Sequence, residues 1–361
     1  MNIVIRTDAS IEIGSGHVMR CLTLAKQLER HGAKVTFICR EFQGNIISYL
    51  RSQGVTSFAL SVIEKSVSDV QWIETNWERD AEETSRNIQE VIGEVDLLIV
   101  DHYGIDYRWE QDLRPYTKSI MVIDDLANRP HDCDLLLDQN YYVRMDQRYK
   151  GLVPEECVQM LGPSYVLLRD EFIQFANRPR ERTGNIQTVF VFFGGTDPHG
   201  ETIKTVQALQ HRRFLTMDII VVVGATNPNR VLLEKMCSEM SNVQFYCQAQ
   251  NMAELMWQAD LAIGAGGTTT WERCVLGLPT LTVVIADNQL EATLLLHDQG
   301  IIQYIGESAS ITSEMIQKCL FELVGSPEKV RKLSNNSLAI VPAGKVGKSI
   351  VLQTIKRGGI Q

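Results

Sequence analysis

The sequence predicts an α/β protein with two Rossmann-like domains that face each other across a cleft. Segments typical of strands and helices alternate along the chain, as in parallel sheets covered by helices. Strand segments such as 97–100 (Leu-Leu-Ile-Val) are apolar throughout, which indicates a strand buried on both faces. The alternation starts twice, each time with a strand, a glycine-containing turn and a helix. We therefore expect ligands to bind at the carboxyl ends of strands, between the two domains.

The first domain is predicted over residues 1–145. The expected strands are 2–6, 34–40, 95–101, 119–124 and 134–138. The expected helices lie between these strands, at 17–31, 45–53, 81–92 and 109–116. The interdomain connection is predicted over residues 146–185, where proline, glycine and a charged run at 178–182 interrupt the pattern.

The second domain is predicted over residues 186–361. Its expected strands are 188–193, 219–223, 243–246, 261–263 and 281–285. Asp197 is the expected N-cap and Pro198 the expected first residue of a helix that ends near Gln210. Two terminal helices, 327–338 and 348–356, are candidates to pack back on the first domain.

The composition limits the class of protein. The 361 residues carry a net charge of −9, which disfavours nonspecific nucleic-acid binding because that needs a basic surface. The eight cysteines form no C-x-x-C pair, a pattern typical of reduced thiols in a cytosolic protein. No secretory signal and no membrane-spanning apolar run is apparent. We therefore expect a cytoplasmic protein without nucleic-acid or membrane partners, and leave protein partners open.

The first glycine turn precedes a helix and contains a histidine. The segment 13–20 reads Ile-Gly-Ser-Gly-His-Val-Met-Arg, and Gly14 and Gly16 would let the backbone approach a ligand closely. The positive helix end favours a neutral imidazole at His17, which suits a general base for water. The alternative is a capping or packing histidine. Asp8 is a candidate to orient the ring, and an ordinary role in the turn is equally consistent.

The second glycine turn, in segment 264–272 (Gly-Ala-Gly-Gly-Thr-Thr-Thr-Trp-Glu), has the chemistry of a diphosphate site. Glycines expose backbone N–H groups and threonines add hydroxyl donors. We expect the diphosphate to bind at Gly266, Gly267, Thr268 and Thr269. Glu272 is placed to accept hydrogen bonds from a ribose, or simply to complement the helix dipole. The turn lacks the Walker A lysine, and the first turn lacks the third glycine of a dinucleotide fingerprint.

Several polar residues follow other strands. Asp124 and Asp125 suggest a metal site, but no further ligand pattern accompanies them, so we predict no metal. Asn288 and Gln289 suit recognition of sugar hydroxyl or acetamido groups, with helix capping as the alternative.

Five segments together resemble a known family. They are 14–25, 101–104, 193–197, 251–256 and 259–274. Together they look like the UDP-sugar hydrolases of pseudaminic acid biosynthesis and their spore-coat polysaccharide relatives. That family is similar to the MurG-type glycosyltransferases, which share the two-domain GT-B fold. The resemblance covers roughly residues 1–305, and no motif is recognised after that.

The resemblance implies an activity and further site residues. It implies hydrolysis of UDP-2,4-diacetamido-2,4,6-trideoxy-β-L-altropyranose to UDP and the free sugar, with water attacking C1 and inverting it, and without metal or cofactor. It implies that His17 is the base, that Glu272 binds the ribose, and that Tyr103 lies near the reacting sugar. The residues implied for UDP binding also include Gly194, Gly195, Thr196, Asn251 and Met252. The alternatives are a MurG-like glycosyltransferase with a UDP-amino sugar donor and a nonenzymatic nucleotide-sugar binding module.

Overall fold

The computed structural model describes residues 1–62, 66–178, 180–341, 350, 353 and 354. The chain divides into two compact units. The first unit contains residues 1–167 and the described residues near the carboxyl terminus, and the second unit begins at Leu168. This boundary falls within the segment 146–185 that the sequence marks as a connection.

The first unit is built on a seven-stranded sheet in which every neighbouring pair is parallel, in the order β3-β2-β1-β4-β5-β6-β7. Its strands are β1 (Asn2–Thr7), β2 (Lys34–Arg40), β3 (Thr56–Leu60), β4 (Leu97–Asp101), β5 (Ile120–Ile123), β6 (Leu135–Asp138) and β7 (Val158–Leu161). The five predicted strands are confirmed, and β3 and β7 were not predicted. Both are edge strands whose residues are partly exposed, so neither shows the continuous apolar run of a central strand.

Five α-helices connect these strands: α1 (Gly16–Glu29), α2 (Ile47–Ser52), α3 (Asp69–Thr75), α4 (Trp77–Asn87) and α5 (Tyr107–Leu113). The sequence did not predict α3, although Ser68 caps it by accepting a hydrogen bond from the Gln71 backbone. The predicted helix 81–92 is α4 followed by a short π-helix, Ile88–Ile92. The predicted helix 109–116 is α5 followed by a 3₁₀ turn, Arg114–Tyr116.

Apolar side chains cover the first sheet in two clusters. One contains Leu24 and Leu28 of α1, and the other contains Trp72 of α3 and Trp109 of α5. The predicted helix 348–356 lies outside the described residues except at positions 350, 353 and 354. Ile350 packs in the same cluster as α1, so the chain terminus contributes to the core of the first unit.

A fully buried carboxylate, Asp80 of α4, joins four elements of the first unit. It accepts two hydrogen bonds from Arg6 of β1, at 3.0 and 2.7 Å, and two from Arg40 of β2, at 3.0 and 2.6 Å. It also accepts one from the indole of Trp109, at 3.0 Å. Burial favours the neutral acid, but the two guanidinium groups outweigh it and hold the pKa of Asp80 well below its usual range.

The second unit has a six-stranded, wholly parallel sheet in the order β10-β9-β8-β11-β12-β13. Its strands are β8 (Thr188–Phe192), β9 (Asp218–Val223), β10 (Val243–Cys247), β11 (Leu261–Ala265), β12 (Thr280–Val284) and β13 (Gln303–Glu307). Its helices are α6 (Asp170–Ala176), α7 (Glu201–Leu209), α8 (Arg230–Ser238), α9 (Met252–Gln258), α10 (Thr269–Val275), α11 (Leu290–Asp298), α12 (Ser313–Val324) and α13 (Pro327–Ile340). Of the six strands, the prediction missed only the edge strand β13, and it named no helix at α6, α8 or α12. No helix among the described residues has the length and apolar character needed to cross a membrane.

The start of α7 differs from the prediction. The helix begins at Glu201, three residues after Pro198, because Asp197 and Gly200 both adopt left-handed backbone conformations, with φ of +41° and +74°. Asp197 is therefore not the N-cap residue. Its carboxylate still accepts hydrogen bonds from the backbone N–H groups of Glu201 and Thr202, both at 2.9 Å. Two N–H groups that lack a partner within the helix are therefore bonded to Asp197.

Candidate active site

In the first unit the strand order reverses direction between β1 and β4, which are neighbours in the sheet. The carboxyl ends of adjacent strands on either side of such a reversal leave room for a ligand. The loop after β1 leads to α1, which begins at Gly16 and carries His17, and β4 ends at Asp101. In that loop Gly14 has a φ of +79°, a backbone conformation that favours glycine.

His17 is buried and forms a hydrogen bond with Asp101. Its Nδ1 atom lies 2.6 Å from Oδ1 of Asp101, and the side chain is 7% exposed. Burial favours a neutral Asp101, but the charge of Arg20 and the hydrogen bonds from Arg20 and His17 hold the pKa of Asp101 well below its usual range. An ionised carboxylate only accepts hydrogen bonds, so Nδ1 carries the proton. The Nε2 atom is therefore the basic nitrogen of His17.

Asp8 does not orient His17. One Asp8 oxygen accepts hydrogen bonds from Arg6 and from the Arg40 backbone, both at 2.6 Å. Asp8 therefore has a structural role, in which it holds Arg6 and the Arg40 backbone, and not the role of orienting the His17 ring. The orienting carboxylate instead comes from β4, which is remote in sequence but adjacent in the sheet.

Arg20, one turn after His17 in α1, connects two carboxylates. It donates to both oxygens of Asp101, from Nε and Nη2 at 2.6 Å each, and from Nη1 to Asp125 at 2.9 Å. The other Asp125 oxygen accepts from the Tyr103 hydroxyl at 2.8 Å. The Tyr103 and His17 rings meet edge to face with centroids 4.4 Å apart. These five side chains form a closed network, which we call the His17 network.

Two neighbours of His17 stay neutral. Burial and the charge of Asp125 raise the pKa of Tyr103 well above its usual value, so its hydroxyl remains protonated and donates to Asp125. The buried ring of His102 accepts a hydrogen bond from the Gly104 backbone at 2.9 Å. Burial lowers the pKa of His102 to about 4. His102 also lies near a carboxylate, with its Nε2 atom 3.5 Å from Oδ2 of Asp8. Of these two histidines, however, it is His17 that forms a short hydrogen bond with a carboxylate, at 2.6 Å to Asp101.

The paired aspartates after β5 have protein partners. Asp124 forms an ion pair with Arg129 at 2.8 Å, and Asp125 binds Arg20 and Tyr103 within the His17 network. Within the described ranges, no group of three or more His, Cys, Asp or Glu side chains is placed to hold a metal ion.

In the second unit the strand order reverses between β8 and β11. The loop after β8 contains Gly194, with a φ of +93°, followed by Gly195 and Thr196. The turn after β11 contains Gly266, Gly267 and Thr268, and Thr269 begins α10. The glycine loop at 194–196 and the glycine turn at 266–268 therefore follow two neighbouring strands, β8 and β11, of one sheet.

Close packing explains why the second turn is rich in glycine. A Cβ atom on Gly264 would lie 2.4 Å from the Phe192 carbonyl, and one on Gly266 would lie 2.4 Å from Oγ1 of Thr293. Arg273 is fully buried behind the turn and donates to the Ala265 carbonyl at 2.6 Å and to Thr270 at 3.0 Å. The turn is therefore fixed both by contact with its neighbours and by a buried guanidinium.

Glu272 lies in the first turn of α10 and is buried. One carboxylate oxygen accepts a hydrogen bond from Arg169 at 2.9 Å, and Arg169 also pairs with Glu171 at 2.7 Å. Among the described residues, the other Glu272 oxygen has no hydrogen-bond partner. An unpartnered buried carboxylate oxygen suits a ligand that donates hydrogen bonds.

The remaining predicted site residues lie at helix starts. Gln289 is next to the second turn, with Nε2 3.6 Å from the Cβ position of Gly267, and its Oε1 accepts from the Ile285 backbone at 3.3 Å. Asn288 is in the same 3₁₀ turn before α11. Asn251 precedes α9 and its exposed amide donates to Glu254 at 2.8 Å. Met252, the first residue of α9, is buried.

Comparison with solved structures shows the architecture. MurG of Acinetobacter baumannii is 14% identical, with a TM-score of 0.59, and the alignment covers 98% of this chain and 99% of that chain. The chain has the GT-B fold. Residues 188–345 of this GT-B chain also match the family described as "Glycosyltransferase family 28 C-terminal domain".

Sequence relatives confirm the predicted resemblance. The chain is 28% identical to the UDP-2,4-diacetamido-2,4,6-trideoxy-beta-L-altropyranose hydrolase of Campylobacter jejuni, over 83% of this chain and 97% of the relative. It is 22% identical to the spore coat polysaccharide biosynthesis protein SpsG of Bacillus subtilis, over 88% of this chain and 87% of the relative.

Each unit of the chain, taken by itself, brings together a set of predicted residues. The first unit joins His17 to Tyr103 through Asp101, Arg20 and Asp125. The second unit gathers Gly266, Gly267 and Gln289 at one turn. Sequence reasoning missed two arginines. Arg20 is three residues after His17 and so on the same helix face, but Arg169 lies in the segment read as a connection, where no pattern marks it.

Proposed function

We propose that the chain hydrolyses UDP-2,4-diacetamido-2,4,6-trideoxy-β-L-altropyranose to UDP and the free sugar. The observation that carries the proposal is the hydrogen bond from His17 to Asp101, which leaves Nε2 as a base in a unit of the GT-B fold. The substrate is the one for which the Campylobacter jejuni relative is named, and this chain is similar to nearly the whole length of that relative.

In the proposed reaction, His17 activates water. Its Nε2 atom accepts a proton as the water oxygen bonds to C1 of the sugar. The bond between C1 and the diphosphate oxygen breaks, and UDP leaves with the electron pair. Asp101 stabilises the imidazolium that forms, and solvent later removes the proton. Attack opposite the leaving group inverts C1.

The second unit would hold UDP. The backbone N–H groups of Gly194, Gly195, Gly266 and Gly267 and the hydroxyls of Thr196, Thr268 and Thr269 would bind the diphosphate. Asn251 and Met252 would contact the uracil. The unpartnered oxygen of Glu272 would accept from the ribose, and Asn288 and Gln289 would bind sugar substituents. In the first unit, Gly14 and Gly16 would permit close approach of the substrate and Tyr103 would contact the reacting sugar.

The proposed reaction needs neither metal nor cofactor. UDP is a stable anion, so its departure needs less acid assistance than that of an ordinary glycoside leaving group, which is protonated by a carboxylic acid while a second group, a carboxylate, acts as base or nucleophile. Backbone donors could stabilise the charge that develops on the diphosphate. Full activity in excess EDTA is the expected result, and loss of activity there would refute this part of the proposal.

The test is phosphorus and proton NMR of the purified chain with the UDP-sugar and EDTA, without an acceptor. We expect equal amounts of UDP and free sugar, with the first-formed anomer inverted. His17→Asn should abolish most turnover while retaining UDP binding. His31→Asn is the matched control, because His31 lies past the end of the same helix. An intact substrate that still binds would contradict hydrolysis and indicate a nonenzymatic binding module or a transferase.

A second candidate function is glycosyl transfer from a UDP-amino sugar. It is favoured by the match of residues 188–345 to the glycosyltransferase family 28 C-terminal domain. In that reaction a hydroxyl of an acceptor replaces water. The two functions differ in their dependence on an acceptor: a transferase releases UDP in proportion to added acceptor, whereas a hydrolase releases it without one.

A further inference from the structure

Arg20 occupies the centre of the His17 network. Its guanidinium uses three nitrogens to bind two buried carboxylates, Asp101 and Asp125. Each carboxylate in turn holds one of the two rings, since Asp101 binds His17 and Asp125 binds Tyr103. Arg20 thus bridges the two carboxylates directly. The orientations of the two rings therefore depend on one cation.

The position of Arg20 also affects the charge at His17. Its Nη2 atom lies 3.1 Å from Nδ1 of His17, and Oδ1 of Asp101 lies 2.6 Å from the same nitrogen, so the imidazole is close to both a cation and a carboxylate. Asp101 alone would attract a proton strongly to His17. Because Arg20 shares both Asp101 oxygens, it offsets much of that attraction.

We propose that Arg20 is a positioning residue that fixes His17 and Tyr103 through their carboxylates and offsets the negative charge of Asp101 at the His17 ring. The proposal deepens the proposed function and rests on it for its effect on turnover. The part of the proposal that concerns the effect of Arg20 on the charge at His17 can be tested on the protein without substrate.

The charged groups that face His17 determine in which direction each substitution should shift the titration of its ring. Asp101 and Asp125 are negative and Arg20 is positive. Tyr103 and His102 are neutral, and so is Cys21, whose thiol donates to Asp101 at 3.3 Å. Removing the positive charge favours the imidazolium, and removing a negative charge disfavours it. Arg20→Gln and Asp125→Asn must therefore move the titration of His17 in opposite directions.

The experiment is a proton NMR titration of the His17 ring, assigned by comparison with His17→Asn, in four full-length variants. Arg20→Gln should raise the pH of half-protonation by about one unit, and Asp125→Asn should lower it by roughly half a unit. Arg20→Lys keeps the charge and should stay near the wild-type value. Arg86→Gln, which removes an equal charge from an exposed pair with Glu82, is the control and should change nothing.

The pH profile of kcat/KM for UDP release gives the second measurement. Its acidic limb should shift with the NMR titration, and Arg20→Lys should lose about tenfold in kcat without a shift, since a lysine cannot reproduce the paired hydrogen bonds. Shifts of Arg20→Gln and Asp125→Asn in the same direction, or no shift in Arg20→Gln, would overturn the proposal. If the wild type releases no UDP, the proposed function fails, and the NMR titration still decides what Arg20 does.

Discussion

The Nδ1 atom of His17 is 2.6 Å from Oδ1 of Asp101, and this hydrogen bond determines which imidazole nitrogen is basic. The two residues are 84 positions apart in sequence. They meet because β1 and β4 are neighbours in the sheet and both lead into the same end of it. The arrangement resembles the histidine and carboxylate of hydrolytic enzymes in its logic: the carboxylate fixes the tautomer and stabilises the protonated ring.

The first prediction concerns Asp101→Asn. The amide has no charge and can present a donor to Nδ1, which would place the ring proton on Nε2 and remove the base. We expect turnover to fall by about 10²-fold or more, with the Kd of UDP unchanged. Steady-state kinetics and calorimetry would measure the two effects. Asp112→Asn, on the exposed side of α5, should behave like the wild type, and undiminished turnover in Asp101→Asn would remove Asp101 from this role.

The second prediction concerns the proposed contact between Glu272 and the ribose. A hydrogen bond to an ionised acceptor contributes about 1.5–3 kcal/mol, so Glu272→Gln should raise the Kd of UDP by about tenfold or more. The Kd of 2′,3′-dideoxy-UDP should not respond, because that ligand lacks the donors. Calorimetry with both ligands gives the comparison, and Glu234→Gln on the surface of α8 is the control. An equal loss for both ligands would show that Glu272 acts on the turn and not on the ribose.

The third prediction concerns the tight contact of Gly266. A Cβ there would lie 2.4 Å from Oγ1 of Thr293, so Gly266→Ala must displace the turn. We expect the Kd of UDP to rise about tenfold, because the backbone donors lose their arrangement. Thr293→Ala removes the obstructing hydroxyl, which has no partner among the described residues, and the double variant should recover most of the affinity.

The matched control for the third prediction is Gly325→Ala. Its added Cβ would meet no atom closer than 3.4 Å and its φ is −79°, so the substitution should be neutral. Failure of Thr293→Ala to restore binding in the double variant would mean that the contact with Thr293 is not what requires glycine at position 266.

The fourth prediction concerns pH and Asp138, which is buried at the end of β6. Burial, reinforced by the charge of Asp125, raises the pKa of Asp138 to about 7. The usual aspartate value is about 3.9, so between about pH 4 and 7 the folded state binds a proton that the unfolded state does not. Stability from this group is therefore present below about pH 4 and is lost as the pH rises through 7.

Asp138→Asn mimics the protonated acid and removes this dependence. We compare the free energy of unfolding of the variant with that of the wild type at each pH. The advantage of the variant should be larger at pH 8 than at pH 5 by about 1–3 kcal/mol. Urea denaturation of both proteins at the two pH values gives the measurement, with Asp112→Asn as the control. A gain that is the same at pH 5 and pH 8 would show that Asp138 does not titrate in this range.

The central architecture was predictable because central parallel strands are apolar throughout. The strands β1, β4 and β8 are flanked on both sides and carry that signal, and the glycine turns after β1 and β11 mark the strand ends where we propose that the substrate binds. Three of the four edge strands, β3, β7 and β13, are partly exposed and were missed. The fourth, β10, is also partly exposed but was predicted, so edge position makes a strand harder to predict without hiding it. The late start of α7 depends on left-handed conformations at Asp197 and Gly200, which local capping signals do not encode.

The candidate site was predictable at its turns and less so at its supporting residues. His17 stands in a strand–turn–helix pattern that can be read locally. Its partner was not readable, because Asp8 is close in sequence while Asp101 is close only after the sheet has formed. Arg20 lies within the segment 14–25, but that segment does not show which side chains it contacts, and Arg169 follows no motif. Only the folded arrangement reveals what the two arginines bind.

The buried carboxylate of Asp80 limits how this chain can vary. It serves two guanidinium groups and an indole N–H at once, so a neutral residue at position 80 would leave two cations buried without full compensation. A library randomised at position 80 alone should yield almost no folded clones. Acceptable replacements should arise only when Arg6 and Arg40 change in the same molecule, together with Asp8, which would otherwise lose the Arg6 cation while staying buried. Positions 6, 8, 40 and 80 should therefore vary together in design and in laboratory evolution, not as independent sites.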